Sequence, residues 1–301
     1  MAEATRYASN NERVALFESS RSRLLGIAYR MLSTVTDAEE IVQEAWLRFQ
    51  SVDVTELRQP SAWLTTVVTR LAIDRLRSAR RLRERYVGPW LPEPLATVEA
   101  SDPEYIAELH DSLTFGFLIL LDRLGPYERA VFVLYEAFNM SYLEISLIVN
   151  RSESTCRQIA SRARRKLLKV WEPRSRTEQA QSTVEALLIA VGAGDIDKVV
   201  ACLAPDVVLA ADGGPNVRAA RRPVLGPKRV ARWLVNVAAR QRPETQIKLG
   251  EINGELGIVA SFEGRVYFAM LFSVLEFGVS SIWVVNNPDK LFWIDKPAQL
   301  Q

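Results

Sequence analysis

The chain has 301 residues, 48% of them apolar and 25% charged, which is enough for about two or three domains with apolar cores. The formal net charge of +2 excludes a chain that is a polycation throughout. The two cysteines are expected to stay unpaired, and with only one histidine beside them the composition argues against a zinc site. The polar N-terminus lacks the apolar segment of a signal peptide and no apolar run reaches the ~18 residues of a membrane span, so we expect a cytoplasmic protein with no membrane, metal or cofactor involvement.

Residues 11–172 are predicted to be helical, and the first signal is a capping-box pattern, Thr36-Asp37-Ala38-Glu39, that opens a helix to about Gln50. The apolar residues of this helix recur on one side, so acidic and polar groups with an outward leucine occupy the other. Such a side is typical of a surface that docks on a partner protein, although an ordinary solvated helix has the same pattern. The candidate docking residues are Asp37, Glu40, Gln43, Glu44 and Leu47.

A long helix is predicted next, preceded by Pro60-Ser61 and extending to about Arg83. Residues 70–85 hold seven arginines against two acidic residues, and a local basic stripe indicates nucleic-acid binding more strongly than the net charge does. Hydroxyl and guanidinium groups share the outer side of this helix, where they could contact phosphates and stack on the bases of a separated DNA strand. These candidate residues are Thr66, Thr69, Arg70, Arg77 and Arg80. Trp63 is interpreted as a core residue.

A stretch rich in proline and glycine predicts a linker over residues 86–104, between helical domains at 1–85 and 105–172. The linker contains the segment WLPEP, which is stiff, carries an aromatic ring and has little conformational entropy to lose on docking in a groove. Docking and a mere rigid spacer are both compatible with this composition. The residues of the segment are Trp90, Leu91, Pro92, Glu93 and Pro94.

Two short helices with a polar break at Asn150–Ser152 are predicted near the end of the helical region. Ser141 and Glu144 form a capping box for the first helix, and Ser152 can cap the second. Small apolar residues, Cys156 among them, share one face of the second helix, so its opposite face is polar and cationic. This recognition face consists of Ser154, Thr155, Arg157, Gln158, Ser161, Arg162 and Arg165.

The recognition face suits a helix lying in the DNA major groove. Arginine, glutamine and serine can read base edges, and the basic C-terminal half of the helix would hold phosphates. A helical hairpin with a solvated charged face is the alternative. The short polar turn, the small residues of the core face and the concentration of cations favour helix-turn-helix.

Residues 177–301 change from helices alone to helices and strands, which predicts an α+β domain. Helices are expected at about 177–192, 195–203 and 226–240. A strand and turn are expected in PDVVLAADGG. Further strands are predicted in TQIKLGEI, LGIVASFEG, VYFAMLFSVLEFG, VSSIWVVN and KLFWI.

Three stretches resemble one family. LDRLGPYERAVFVLYEAFNMSYLEISLIVNRSESTCRQIASRARRKL resembles region 4 of extracytoplasmic-function (ECF) sigma factors, while DAEEIVQEAWLRF and SAWLTTVVTRLAIDRLRSARR resemble parts of region 2. The C-terminal part looks like a SnoaL-like, NTF2-like fold. The resemblance implies a multidomain fold: two all-α sigma domains, a region 2 helical bundle and a region 4 helix-turn-helix, plus an α+β SnoaL/NTF2-like cone.

The resemblance also implies partners and roles. Core RNA polymerase would bind the docking residues of the first helix, the long helix would capture and melt the −10 strand of promoter DNA, and the recognition face would read the −35 duplex. Two departures from the family pattern are Arg70 in place of asparagine and Asn150 in place of glycine. A third concerns the Asp-Gly-Gly-Gly-Lys motif of one subgroup of the family, which appears here only as Asp212-Gly213-Gly214 followed by Pro215-Asn216.

A subgroup of these sigma factors carries a fused SnoaL-like domain, and the resemblance to it implies regulation in cis. The implied regulatory interdomain residues are the WLPEP segment, Asp212, and Asn287, Pro288, Asp289 and Lys290 near the C-terminus. No catalytic residues are expected, because the C-terminal part has no histidine and Asp212 is interpreted as a turn residue. A small-molecule ligand in the cone stays open. The alternatives are a ligand-sensing helix-turn-helix regulator that works without polymerase, and a SnoaL-type cyclase or isomerase with a DNA-binding appendage.

Overall fold

The computed structural model describes residues 2–53, 57–83, 86–95, 114–168 and 178–295; the side chains of residues 2–10, 79–83, 168, 178 and 295 are not described. The described residues form two compact units. The first contains those of Met1–Leu82 and Phe117–Trp171. The second contains those of Arg83–Ser101, Thr114–Gly116 and Glu172–Gln301.

The first unit is built from helices. They are α1 (Ala2–Leu32), α2 (Val35–Gln50), α3 (Pro60–Arg83), residues 117–121 of α4 (Phe115–Leu121), α5 (Pro126–Glu136), α6 (Tyr142–Val149) and α7 (Glu153–Leu168). None of the described helices has the length and apolar character that crossing a bilayer requires.

Helix starts follow local capping chemistry. Helix α6 has the predicted capping box: the Ser141 hydroxyl accepts from the Glu144 amide at 3.2 Å, and the Glu144 carboxylate accepts from the Ser141 amide at 2.8 Å. Helix α3 begins at Pro60, so Pro60 and Ser61 form its first turn rather than precede it as predicted. The prediction for α2 was wrong by two residues, because Thr34 rather than Thr36 is the N-cap and donates its hydroxyl to Asp37 at 2.7 Å.

The core of the helical unit joins distant parts of the chain. The rings of Trp63 and Phe49 lie 5.9 Å apart, which agrees with a core role for Trp63. Arg129 of α5 is only 1% exposed, and its Nε donates to the Arg30 carbonyl at 3.0 Å while a terminal nitrogen pairs with Asp122 at 2.6 Å. This arginine also donates to the Ser33 hydroxyl and so fastens the end of α1 to α5.

The second unit packs helices on one mixed sheet. Helices α8 (Glu178–Gly192), α9 (Ile196–Ala201) and α10 (Pro227–Ala238) accompany strands in the order β2-β1-β6-β5-β4-β3, with β1 parallel to β6 and the other neighbours antiparallel. The strands are β1 (Leu203–Asp212), β2 (Val224–Leu225), β3 (Gln246–Ile252), β4 (Glu255–Phe262), β5 (Arg265–Leu275) and β6 (Gly278–Val285). The predicted α+β domain is confirmed.

The predicted strand in KLFWI was wrong. A 3₁₀ turn (Pro288–Lys290) is followed by a short helix, α11 (Phe292–Asp295). The Asn287 side chain accepts from the Asp289 amide at 3.2 Å, and Pro288 at the first helical position has no amide to leave unpaired. The run of four apolar residues in KLFWI cannot by itself distinguish a strand from a helical turn.

The apolar core of this unit lies between the helices and one face of the sheet. Leu187, Val230 and Leu234 of the helices are buried in one cluster with side chains of the sheet that include Leu209 and Ile282. Both cysteines are unpaired, as expected: Cys156 is buried in the helical unit, and Cys202 is partly buried in the second unit.

Candidate functional sites

The recognition face lies on α7, where its cap and its core contacts orient it. Asn150 ends α6 in the left-handed conformation with φ 51°, and the Ser152 hydroxyl then accepts from the Thr155 amide at 3.2 Å. Cys156 is fully buried, and burial raises the pKa of its thiol. The opposite face is therefore turned to solvent. Its exposed members are Ser154, Arg157, Gln158, Ser161, Arg162 and Arg165, with Thr155 half-buried.

Several cationic side chains of α7 form ion pairs with acidic neighbours or contact aromatic rings. Arg157 pairs with Glu153 one turn earlier, which raises the pKa of its guanidinium, and lies 5.4 Å from the centre of the Tyr142 ring. Lys166 binds Glu128 at 2.7 Å; burial pushes the pKa of Glu128 upward, but the Lys166 hydrogen bond and the Gly125 amide outweigh burial and leave it lowered. Glu153 and Tyr142 are half-buried, whereas Arg157 itself is exposed.

The strand-capture residues predicted on α3 do not share one exposed side. Thr69 is fully buried and its hydroxyl has no hydrogen-bond partner among the described residues, so its predicted outward position was wrong. Periodicity along one helix locates the side that faces its core but does not show whether a flanking residue is covered as well. Thr66 is half-buried and donates to the Ala62 carbonyl at 2.9 Å. The side chain of Arg80 lies outside the described residues.

Arg70 and Arg77 contact the later helices of the same unit. Arg70 donates to the carbonyls of Ile148 at 2.9 Å and Leu147 at 3.1 Å, which are at the C-terminal end of α6. Arg77 donates to the Tyr127 hydroxyl at 3.0 Å, and its guanidinium lies 5.0 Å from the centre of that ring. The structure therefore places both predicted strand-capture arginines against the region that carries the recognition helix.

The docking residues of α2 are partly paired within the unit. Arg75 of α3 contacts Asp37 at 2.5 Å and Glu40 at 2.7 Å, and the hydrogen bond to Glu40 is the main reason that the pKa of Arg75 is raised. Glu44 pairs with Arg48 on its own helix. Gln43 and Leu47 are exposed, with Leu47 54% accessible, as predicted.

The linker segment packs against the C-terminal domain within the second unit. Leu91, Pro92, Glu93 and Pro94 are buried and Trp90 is half-buried. The structure thus shows docking rather than a free spacer.

One buried carboxylate holds the start of this segment. Asp212, at the end of β1, is fully buried and accepts from the Tyr86 hydroxyl at 2.6 Å, the Leu91 amide at 2.8 Å and the Lys290 ammonium at 2.7 Å. Burial, then the hydrogen bond to Asp212, raises the pKa of Tyr86 above its ordinary value. We call Asp212 with Tyr86, Leu91 and Lys290 the Asp212 anchor.

Lys290 closes the anchor from the other side. Its ammonium also donates to the Leu91 carbonyl at 2.5 Å and lies 3.9 Å from the centre of the Trp90 ring. Asn287 donates its side-chain amide to Tyr86 at 3.0 Å. Gly214 has φ +62°, and a Cβ there would lie 2.7 Å from Asn287, so glycine is required at this position. These contacts bring together the WLPEP, DGG and NPDK stretches.

The far end of the segment reaches another part of the sheet. The Leu95 amide donates to the Asn253 side chain at 2.7 Å, and the Leu95 carbonyl accepts from the Asn253 amide at 2.9 Å, in the turn between β3 and β4. Trp283 alternates along β6 with the helix-facing residues Ile282 and Val284, and Phe115 packs 5.8 Å from its ring. Phe115 therefore lies on the sheet face away from the helices.

Sequence reasoning missed several of these residues. Tyr86, Leu95 and Asn253 belong to no recognised pattern, although the position of Tyr86 between the arginine run and WLPEP was a usable signal. In the part of the chain that the structure describes, no group of three His, Cys, Asp or Glu residues could hold a metal ion.

Comparisons with known proteins agree with this arrangement. Residues 16–82 match the family model of sigma-70 region 2, and residues 118–167 match that of sigma-70 region 4. The chain is 39% identical over 292 residues to the ECF RNA polymerase sigma factor SigJ of Mycobacterium tuberculosis, and the match covers 92% of each chain.

The chain belongs to the ECF sigma factors. It is also 32% identical to the probable ECF RNA polymerase sigma factor SigI of M. tuberculosis, over 92% of this chain and 94% of that protein. The crystal structure of M. tuberculosis SigJ matches with a TM-score of 0.75 at 35% identity, covering 94% of this chain and 99% of SigJ. The protein is accordingly an alternative sigma factor with a C-terminal α+β domain. This finding supports the main prediction over the alternative of a ligand-sensing helix-turn-helix regulator that works without polymerase.

Proposed function

We propose that this sigma factor uses α7 to read the −35 element of its promoters when it is bound to core RNA polymerase. The observation that carries the proposal is the exposed row of serine, glutamine and arginine side chains on α7, opposite a fully buried core face. Glutamine can pair with adenine and arginine with guanine in the major groove.

In vitro transcription with core polymerase tests this assignment. Gln158→Ala should relax discrimination at one −35 base pair by roughly 1–3 kcal/mol, because one base-edge contact is lost. Gln181→Ala, an exposed glutamine on α8, is the matched control. Unchanged promoter selection in the Gln158 variant would contradict the helix assignment.

We further propose that Arg70 and Arg77 capture the −10 strand after they leave their present partners. Both side chains bind groups of the α5–α6 region here. Once released from these partners, their flat guanidinium groups can bind phosphates and stack on unpaired bases. Polymerase docking on Gln43, Leu47 and the acidic residues of α2 would accompany this opening. Leu47→Glu should then reduce retention of the chain on immobilised core polymerase, whereas Val14→Glu, at an exposed valine of α1, should not.

The C-terminal domain is proposed to regulate in cis through the Asp212 anchor. The support is that Asp212 and Lys290 bind main-chain or side-chain atoms of residues 86–91, directly after α3. Run-off transcription by the full chain should differ in yield from that of a chain ending after residue 174, and Lys290→Met should shift the full chain toward the truncated level. Equal yields from all three would refute cis-regulation.

An enzymatic role for the C-terminal domain is not favoured, and we propose a cytoplasmic transcription factor without catalytic residues. Asp212 already accepts from four donors, the fourth being the Gly214 amide at 3.0 Å, so both of its oxygens are bound by groups of the protein. Side chains of α8 and α10 pack onto the sheet where a ligand in the cone would lie. Turnover that is abolished by Asp212→Asn would reverse this view.

A further inference from the structure

The basic residues of the C-terminal domain are concentrated in one stretch. Residues 177–301 contain thirteen basic and thirteen acidic side chains, so the domain is neutral as a whole. Eight of the basic residues and none of the acidic ones fall within residues 213–243. We call these eight the basic face: Arg218, Arg221, Arg222, Lys228, Arg229, Arg232, Arg240 and Arg242.

All eight side chains of the basic face are exposed. None forms a salt bridge with another described residue, whereas several cations of α3 and α7 are paired with carboxylates. Arg242 lies 4.4 Å from the centre of the Phe262 ring, a contact that leaves its charge uncompensated. Unpaired exposed cations attract an anionic partner without first breaking an internal ion pair.

Helix α10 arranges part of this charge in a row. Arg229, Arg232 and Asn236 recur at helical spacing and are exposed, while Val230 and Leu234 are buried on the other side. Arg240 follows the helix end, so the row extends on the order of 15 Å at 1.5 Å per residue. Arg222 lies in the loop six residues before Lys228, and the edge strand β2 and Gly226 separate the two. The cations of this loop are therefore close in sequence to those of α10.

The linear row indicates a polyanion rather than a small ligand. A small anion needs donors that converge on one point, whereas the B-DNA duplex presents one charge per about 1.7 Å along its axis. Seven of the eight residues are arginines, whose forked donors match phosphate oxygens. A membrane surface fits less well, because a helix that binds lipid gains much of its affinity from an inserted apolar face, and that of α10 is buried in the domain core.

We propose that the basic face of the C-terminal domain binds the phosphate backbone of duplex DNA, as a contact additional to those of regions 2 and 4. The inference rests on the sigma-factor function, which brings the chain to DNA. Because the domain is tethered to two DNA-binding regions, even a weak phosphate contact gains from a high effective concentration. The contact carries no base readout and strengthens binding at any sequence next to the promoter elements.

The test uses the full chain and a labelled duplex of mixed sequence, with binding followed by fluorescence anisotropy between 50 and 200 mM salt. The variant is Arg229→Gln/Arg232→Gln/Arg240→Gln. The control is Lys198→Gln/Lys248→Gln/Arg265→Gln, which removes three exposed cations elsewhere on the same domain and gives the same net charge. Each lost phosphate contact should reduce the slope of log K against log salt by about 0.9.

The expected result is a slope reduced by about 2 to 3 in the variant and unchanged in the control, with weaker binding of the variant at 50 mM salt. Equal slopes for variant and control overturn the inference, and so does a wild-type chain that does not bind the duplex at 50 mM salt. Vesicles rich in phosphatidylserine are a second arm, and loss of vesicle binding with an unchanged DNA slope would assign the face to membranes instead.

A third arm separates failure of this inference from failure of the proposed function. Gln158→Ala is assayed with polymerase for promoter selection alongside the basic-face variant. If Gln158→Ala changes selection while the basic-face slope equals that of the control, the additional contact alone is refuted. If Gln158→Ala has no effect on selection, the proposed role of α7 fails whatever the slope.

Discussion

At the residue scale, Asp212 shows how one carboxylate can hold a linker to a domain. Its charge is fully buried and lies 2.7 Å from the Lys290 ammonium, which is itself only 5% exposed. A buried pair of this kind adds little net stability over an apolar pair, but removal of one partner leaves a buried charge uncompensated. The anchor is therefore sensitive to single substitutions.

Asp212→Asn should reduce the stability of the C-terminal domain by about 3–5 kcal/mol, because Lys290 loses its counter-charge inside the protein. Thermal unfolding of the full chain followed by calorimetry measures the loss as a lowered Tm of the corresponding transition. Asp206→Asn, at an exposed position on β1, is the control and should leave that Tm unchanged. A similar Tm for the two variants would show that the ion pair is not formed.

Tyr86 makes the anchor sensitive to alkaline pH. Its pKa is raised by burial and by the hydrogen bond to Asp212. The stability that the neutral phenol contributes to docking is therefore fully present below the pKa of an unfolded tyrosine, about 10, and is lost as the pH rises above that value. Ultraviolet titration should show late-ionising tyrosine, and this component should be smaller in Tyr86→Phe but not absent, because burial also raises the pKa of Tyr142. A Tyr86→Phe variant with an unchanged late component would contradict the assignment.

At the element scale, the turn between α6 and α7 orients α7 and the recognition face that it carries. Asn150 has φ 51° and ψ 57°, a conformation that asparagine tolerates better than most residues with a Cβ. Its amide donates to the Ser146 carbonyl, and the Arg151 amide donates to the same carbonyl at 3.1 Å. The helix end is thus closed by backbone bonds that depend on this left-handed residue.

Asn150→Ala should destabilise the helical unit by about 1–2 kcal/mol, because alanine is strained in the left-handed region. Asn150→Gly, the matched variant, should be neutral or slightly stabilising, since glycine adopts this conformation without steric cost. Urea unfolding monitored by circular dichroism compares the two. Equal stability of the alanine and glycine variants would mean that the turn does not hold this conformation in solution.

At the scale of the whole molecule, residues 86–95 belong structurally to the C-terminal domain although they lie between the two sigma regions in sequence. They are attached near the end of β1 by Asp212 and Lys290, and at the β3–β4 turn by Asn253. The described part of the chain between region 2 and region 4 is therefore held by hydrogen bonds within the second unit.

Hydrogen exchange should report this docking directly. The Leu91 and Leu95 amides donate to Asp212 and Asn253, so peptides covering residues 86–95 should exchange slowly in the intact chain. Lys290→Met should accelerate exchange there, while Lys248→Met, at an exposed lysine on β3, should not. Fast exchange in the unaltered chain would show that the linker is undocked in solution.

The sequence by itself determined the elements whose signals are local. Ser141 with Glu144, Pro60, and Asn150 mark helix ends through backbone hydrogen bonds within a few residues, and the apolar period of α7 located its recognition face. Family motifs were recognisable for the same reason, since each is a contiguous stretch. The concentration of eight cations in residues 213–243 was also present in the sequence. The net charge summed over residues 177–301 is zero, and a sum over the whole domain does not reveal a local concentration.

Only the tertiary structure decided which side chains are covered and by what. Thr69 is buried, and Arg70 binds carbonyls of α6, a helix distant in sequence; periodicity along one helix reveals neither fact. The same holds for the Asp212 anchor, whose members span residues 86–290. Long-range contacts depend on how elements meet in space, and a local pattern carries no information about its distant neighbour.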